Sequence, residues 1–305
     1  MTVLVLGGAG FLGSRLVGRL AANGNDVVAV TRRAVPVALR SNPNVHWVVQ
    51  DIADDGFDMA GLMNIEAVVH LAGATLGSSK DEYLFLRANE QTTVRLFQAL
   101  ADRTDRFIFA SSQVVYGDAR HLKVTEDFPL KSDSSAYACS KVNSENWLRW
   151  FQKRHGGQYL ALRFCGFIEG GGIVDYIIDR ALTGEPIELY SQGTVRRDYL
   201  PVAEAIDVLI SALDLPVSPR YLPINIGSGQ AVSAHELAIL ICAELQSLSR
   251  IELCTAPSPR GDFVFCIDRA SQLFGFRPGN LTDAVRSYAQ QRQKEMQRGA
   301  GNEKN

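Results

Sequence analysis

The sequence predicts an α/β fold: a doubly wound parallel sheet with a smaller C-terminal α/β lobe. Three observations carry this expectation. Short β-branched runs alternate with amphipathic stretches up to about residue 165, a glycine-rich turn follows the first run directly, and the alternation then loosens. Strands alternating with helices give a parallel sheet covered on both faces, with right-handed crossovers. Such a sheet takes its ligands beyond the carboxyl ends of its strands.

The expected strands, in order, are Val3–Val5, Val27–Val30, Val45–Val49, Ala67–Leu71, Phe107–Ala110 and Tyr159–Leu162. The amphipathic stretches Phe11–Ala22, Leu84–Ala101 and Ala136–Arg154 read as helices between them. Beyond them, Gly170–Gly172 marks a loop, followed by a helix at Ile173–Leu182 and a short strand at Ile187–Leu189. Further helices are expected at Glu204–Leu213, at Ala234–Leu245, and from Leu281 to about Gln293. Residues 1–165, with later returning segments, read as the first domain; 166–298 form mainly the second lobe; 299–305 read as a flexible polar tail.

The 305 residues are 46% hydrophobic and 21% charged, enough for a globular enzyme with a sizeable core. A net charge of -2 gives no long-range attraction to nucleic acid or to an anionic membrane, so neither is an expected partner. Five cysteines without a CxxC pair, and five scattered histidines, suggest reduced, cytoplasmic usage and no metal site. The opening MTVLVLGGAG is too short for a membrane span, has no basic leader, and reads as the first strand.

That strand ends in the turn Gly7, Gly10, Phe11, Leu12, Gly13, which opens the first helix. Without β-carbons the backbone turns sharply and approaches a pyrophosphate, while the helix N-terminus offers N–H donors and partial positive charge. A strand, this turn and a helix together give the dinucleotide-binding signature of a Rossmann sheet. The second strand ends in Thr31-Arg32-Arg33, where an NAD site carries a carboxylate for the ribose hydroxyls. A hydroxyl and two guanidinium groups instead suit a 2′-phosphate, so NADP(H) is preferred and NAD(H) is the alternative. The competing reading leaves both arginines simply facing solvent. Asp51 and Ile52 follow the third strand at the adenine position, and Leu71, Ala72 and Gly73 let a cofactor lie close to the backbone after the fourth.

Tyr137 and Lys141 stand four apart at the start of a helical pattern, on one face. A phenol of pKa near ~10 is a poor base, and a neighbouring ammonium favours its ionised form. Ser112, at the end of the fifth strand, can hydrogen-bond the oxygen being transformed.

With these pieces in place the sequence resembles the extended short-chain dehydrogenase/reductases, specifically their nucleotide-sugar epimerase, dehydratase and reductase group. The resemblance rests on Gly7–Gly13, on His70–Gly73 with Asn89, on Ser111–Gly117, and on Tyr137 with Lys141. It implies that Ser112, Tyr137 and Lys141 form the catalytic triad. Tyr137 would exchange a proton with the sugar oxygen while hydride passes between ring carbon and nicotinamide. The runs Gly193–Val202, Asn225–Gly229 and Pro259–Asp262 extend the likeness and imply that Arg197 and Arg260 bind the diphosphate of a nucleotide sugar. The alternative pairs those arginines with Asp198 or Asp262. A homodimer built through the helices Leu84–Ala101 and Ala136–Arg154 is also implied.

Two departures narrow the chemistry. Gln113-Val114 stands where the dehydratase branch carries Asp-Glu for eliminating water, and an apolar valine exchanges no proton. Gly166 replaces an asparagine that contacts the substrate diphosphate in many relatives, so the pocket differs in shape. The expected function is an NADP(H)-dependent 4-ketoreductase of a nucleotide-linked 4-keto-sugar. The alternative is a 4-epimerase with retained NAD; a silent dinucleotide sensor ranks third.

Overall fold

The computed structural model describes residues 1–54, 56–57, 62, 64–75, 81–258 and 260–302. Pro259 and residues 303–305 of the expected tail therefore lie outside the described residues.

A seven-stranded parallel sheet occupies the centre. Its strands are β1 (Thr2–Leu6), β2 (Asp26–Thr31), β3 (Val45–Val49), β4 (Ala67–His70), β5 (Arg106–Ser112), β6 (Gln158–Phe164) and β7 (Arg220–Ile226). They lie in the order β3-β2-β1-β4-β5-β6-β7, every neighbouring pair parallel. This is the doubly wound Rossmann topology, with the strand order reversing between β1 and β4. Both of its faces are buried. Val3 and Val5 pack against Leu16, Val17 and Leu20, whereas Leu4 and Leu6 join Leu96, Phe97 and Phe151 on the other side. Alternate side chains of a strand point to opposite faces, which explains why β1 is apolar from Val3 to Leu6 without interruption.

The six strands expected from the sequence are all present. β7 was not expected, because Pro223 and Asn225 interrupt its apolar pattern. It is an edge strand that pairs only with β6, and a proline is tolerated there because one side of its backbone has no ladder to serve.

Helix α1 (Phe11–Ala22) follows β1. The helix α2 that precedes β5 is not uniform: Tyr83–Phe85 is α-helical, Leu86–Gln91 is π-helical and Thr92–Leu100 is α-helical again. Helix α3 (Ala136–His155) begins at Ser135, whose hydroxyl accepts the Ala138 N–H at 3.1 Å. It ends at Gly156, with Lys153, Arg154 and His155 in the last turn, where positive charge complements the carbonyl end.

Later in the chain come α4 (Ile173–Thr183), α5 (Val202–Asp214), α6 (Ala234–Leu245), α7 (Asp268–Phe274) and α8 (Leu281–Asn302). α8 continues nine residues past the expected end at Gln293, into the stretch expected to be tail. α5 packs on the central sheet through Ala205 and Leu209. α4, α6 and α8 share a separate apolar cluster that includes Ile177, Ile178, Leu237, Ile241 and Val285. Short strands tie the late segments to the site: Arg196–Arg197 lies between Val232–Ser233 and Phe263–Phe265, and Phe263–Phe265 pairs in turn with His121–Val124. Among the described residues, no helix is long and apolar enough to cross a membrane.

Candidate functional site

At the carboxyl end of β1 the chain turns through Gly7 with φ +82°, a conformation that side chains rarely adopt. Space is as restrictive as conformation here. A β-carbon on Gly7 would stand 2.9 Å from the Ala72 nitrogen, and one on Gly13 would stand 2.0 Å from the Gly7 carbonyl oxygen. The turn therefore brings β1, the start of α1 and the Leu71–Gly73 segment into direct backbone contact. Gly10 is the N-cap of α1, no side chain caps it, and the first turn holds no acidic residue. Its amide end is thus suited to an anion, and the cradle fits a pyrophosphate.

Thr31, Arg32 and Arg33 follow at the end of β2. The Thr31 hydroxyl accepts the Arg33 N–H at 3.0 Å, folding the turn back on itself. Arg32 lies 3.6 Å from the Asp51 carboxylate, with both side chains partly exposed. So the guanidinium already faces a carboxylate at the position where the sequence suggested a 2′-phosphate.

Ser112, Tyr137 and Lys141 come together from β5 and the first turns of α3. Ser112 hydrogen-bonds the Tyr137 hydroxyl, which draws the phenol's pKa down, while burial pushes it up more strongly. The Lys141 ammonium donates to the Ala110 carbonyl at 2.7 Å and stands 4.6 Å from the centre of the Phe109 ring. Burial lowers its pKa to about 8, against the raising influence of the Glu145 carboxylate. His70, at the end of β4, is held down to about 3 by burial and by the Lys141 charge, so it is neutral.

The π-helical segment of α2 places Asn89 inside this cluster, as such segments often do at functional sites. Its side chain accepts the Ala74 N–H at 2.7 Å and donates to the Ala74 carbonyl at 3.1 Å and to the Ser140 hydroxyl at 2.9 Å. The loop after β4 is thereby fastened to α3.

Beneath the cluster lies a buried polar network that the sequence reading missed. Glu145 is fully buried and receives Arg163 at 3.0 and 2.6 Å, the Ser111 hydroxyl at 2.5 Å and the Tyr221 hydroxyl at 2.7 Å. Arg163 also reaches the Tyr116 oxygen at 2.7 Å. The available signal was spacing: Glu145 is one further turn along the face that carries Tyr137 and Lys141.

Arg197 enters from the late strand Arg196–Arg197. It donates to the Gly261 carbonyl at 2.9 Å and lies 5.1 Å over the Phe263 ring. Burial lowers its pKa, and the nearby charge of Arg260 lowers it further. Two cations so placed favour an anionic partner between them. Asp198 does not supply it, since its carboxylate accepts from Ser228, Gly229 and Phe265. Nor does Asp262, which accepts the Arg196 backbone N–H at 2.8 Å.

One cleft of about 850 Å³ joins these parts. Gly7, Gly10, Phe11, Leu12 and Gly13 line it together with Thr31, Arg32, Arg33, Asp51, Ile52, Leu71, Ala72 and Gly73, and so do Arg197 and Arg260. Ser112, Tyr137 and Lys141 do not themselves line it; Lys141 lies behind the lining residue Gly73, where a β-carbon would stand 3.8 Å from its nitrogen. Gln113, Glu169, Glu188 and Tyr190 also line the cleft and had not been picked out as site residues.

A family model for the NAD dependent epimerase/dehydratase family matches residues 3–227. The UDP-glucose 4-epimerase of Lactobacillus helveticus is 28% identical, with 93% of this chain and 95% of that protein covered. The dTDP-4-dehydro-6-deoxy-D-allose reductase of a Streptomyces species is 26% identical, with 92% of each covered. The solved structure of MoeE5 in complex with UDP-glucose and NAD aligns with a TM-score of 0.83 at 27% identity, covering 97% of this chain and 100% of that one.

Proposed function

This chain belongs to the NAD-dependent epimerase/dehydratase family, and from that premise we propose that it is a nucleotide-sugar 4-epimerase that retains NAD(H) through its cycle. The observation that carries this reading is the Ser112, Tyr137 and Lys141 cluster, joined through Gly73 to a cleft that both the glycine cradle and two arginines line. The order of the two readings from sequence is thereby reversed. The Lactobacillus epimerase and the NAD in the MoeE5 complex support the epimerase. The contact between Arg32 and Asp51 weakens the case for a 2′-phosphate.

In this proposal the amide end of α1, with Gly7 to Gly13, holds the pyrophosphate. Thr31 to Arg33, Asp51 and Ile52 surround the adenosine, Leu71 to Gly73 border the cofactor, and Lys141 holds its ribose. When bound, the nicotinamide supplies hydride exchange at the sugar C4. Tyr137 takes the proton of the C4 hydroxyl and later returns it, Ser112 holds that oxygen, and Lys141 stabilises the phenolate. Arg197 and Arg260 grip the diphosphate with planar forks. Because Arg197 and Arg260 would hold the diphosphate and not the hexose, the sugar ring would be able to present either face while the nucleotide stays bound. Residues 1–165, with the returning segments, serve the cofactor, and 166–298 mainly serve the nucleotide sugar. The outer faces of α2 and α3, where Leu86 and Trp147 border a groove, are proposed as the homodimer contact, which sedimentation tests.

Thr31-Arg32-Arg33 and the Streptomyces relative favour a second reading, an NADPH-dependent 4-ketoreductase. A matrix of cofactors and substrates separates the two. UDP-glucose and UDP-galactose should interconvert without net nicotinamide consumption. Stoichiometric NADPH oxidation with a nucleotide-linked 4-keto-sugar, and no epimerisation, would replace the epimerase by the reductase.

A further inference from the structure

We propose that Gln113 is a specificity-determining residue that reads a sugar hydroxyl close to the reacting carbon, on C3 or C6; this rests on the nucleotide-sugar reading above. Ser112 is the N-cap of the short turn Gln113–Tyr116, so its hydroxyl and the Gln113 carboxamide are consecutive groups on one turn. The turn is held in place. The Val115 carbonyl accepts the Lys131 N–H at 2.8 Å, Val115 and Tyr116 are fully buried, and the Tyr116 hydroxyl donates to Asn225 at 2.7 Å. Of its four residues, Gln113 is the one that lines the cleft.

The Gln113 Oε1 atom is buried, yet it has no hydrogen-bond partner among the described residues. Asn89, the other amide of this region, shows the contrast: both ends of its side chain are bonded within the protein. Buried polar groups are almost always paired, so an unpaired one in a cleft wall marks where a ligand supplies the partner. An acceptor beside Ser112 fits an O–H donor. A sugar whose C4 oxygen meets Ser112 and Tyr137 offers such donors on C3 and C6. The carboxamide is uncharged and exchanges no proton, so it selects the substrate and leaves the proton transfer to Tyr137.

The test compares UDP-glucose with its 3-deoxy and 6-deoxy analogues on the wild type and on Gln113→Ala. Wild type should lose about tenfold in kcat/KM on whichever analogue lacks the recognised hydroxyl. Gln113→Ala should lose the same factor on UDP-glucose and no more on that analogue, and its Tm should not fall, because Oε1 has no hydrogen-bond partner to lose among the described residues. Gln113→Asn, which keeps the amide one methylene short, should repeat the kinetic pattern and stands in if the alanine variant misfolds. Unchanged kcat/KM on UDP-glucose, or an equal loss on all three sugars, overturns the role of Gln113 alone. Wild type that turns over none of them overturns the epimerase reading, and Gln113's role with it.

Discussion

The state of Lys141 is set by two neighbours and by burial. The Ala110 carbonyl fixes its ammonium, burial lowers its pKa to about 8, and Glu145 resists that fall. Tyr137 is shifted the other way, since burial raises its phenol despite the Ser112 hydrogen bond. If the ammonium is what stabilises the phenolate, the active form exists below the Lys141 value and is lost as pH rises through it. The kcat profile should therefore fall on the alkaline side near pH 8, and Tyr137→Phe should lose at least about a hundredfold in kcat. Stopped assays from pH 6 to 10 would show it, and a flat profile would remove Lys141 from the role. At this scale the sequence was informative. Spacing alone put Tyr137 and Lys141 on one helix face, and the end of a strand exposed Ser112. The approach of Arg32 to Asp51 was not legible, because it depends on how the segments after β2 and β3 fold toward each other.

Helix α3 carries two of these groups, and its attachment to the sheet is a matter of whole elements. Glu145 binds Arg163 of β6, Ser111 of β5 and Tyr221 of β7, so one carboxylate locks the helix across three strands. Its removal leaves Arg163 charged and buried without a counter-ion. Glu145→Ala should cost about 3–5 kcal/mol of unfolding free energy by urea titration. Glu145→Gln retains much of the shape but not the charge that raises the Lys141 pKa, so its alkaline limb should move to lower pH than wild type. A purely structural role would leave that limb in place. The helices other than the short α7, and six strands of the central sheet, were legible because each carries a recognisable apolar pattern. β7 was not, since Pro223 and the polar Asn225 break its pattern and only its partner β6 reveals it. Glu145 was overlooked for a related reason: spacing places a carboxylate on a face, but the network that makes its burial tolerable comes from distant strands.

Across the whole molecule, the cleft draws its lining from early and late parts of the chain. The glycine turn forms within the first strand–helix unit, and its local signature made it readable. Arg197 and Arg260 come together only through the late strands beside Phe263, so sequence offered their motifs but not their juxtaposition. This separation yields a test of the assignment, because a ligand that binds only the native state stabilises it by RT ln(1 + [L]/Kd). At about a hundredfold excess over Kd, either ligand should add roughly 2.7 kcal/mol. NAD and UDP-glucose should each raise the Tm of the wild type. Arg197→Ala and Arg260→Ala should lose most of the UDP-glucose shift and keep the full NAD shift, since neither side chain lies at the cradle. Equal weakening of both shifts would mean that the arginines hold the lobes together and do not bind diphosphate. An undiminished UDP-glucose shift in both variants would place the diphosphate elsewhere. Loss confined to UDP-glucose is the outcome that a cleft with separate cofactor and nucleotide-sugar sites requires.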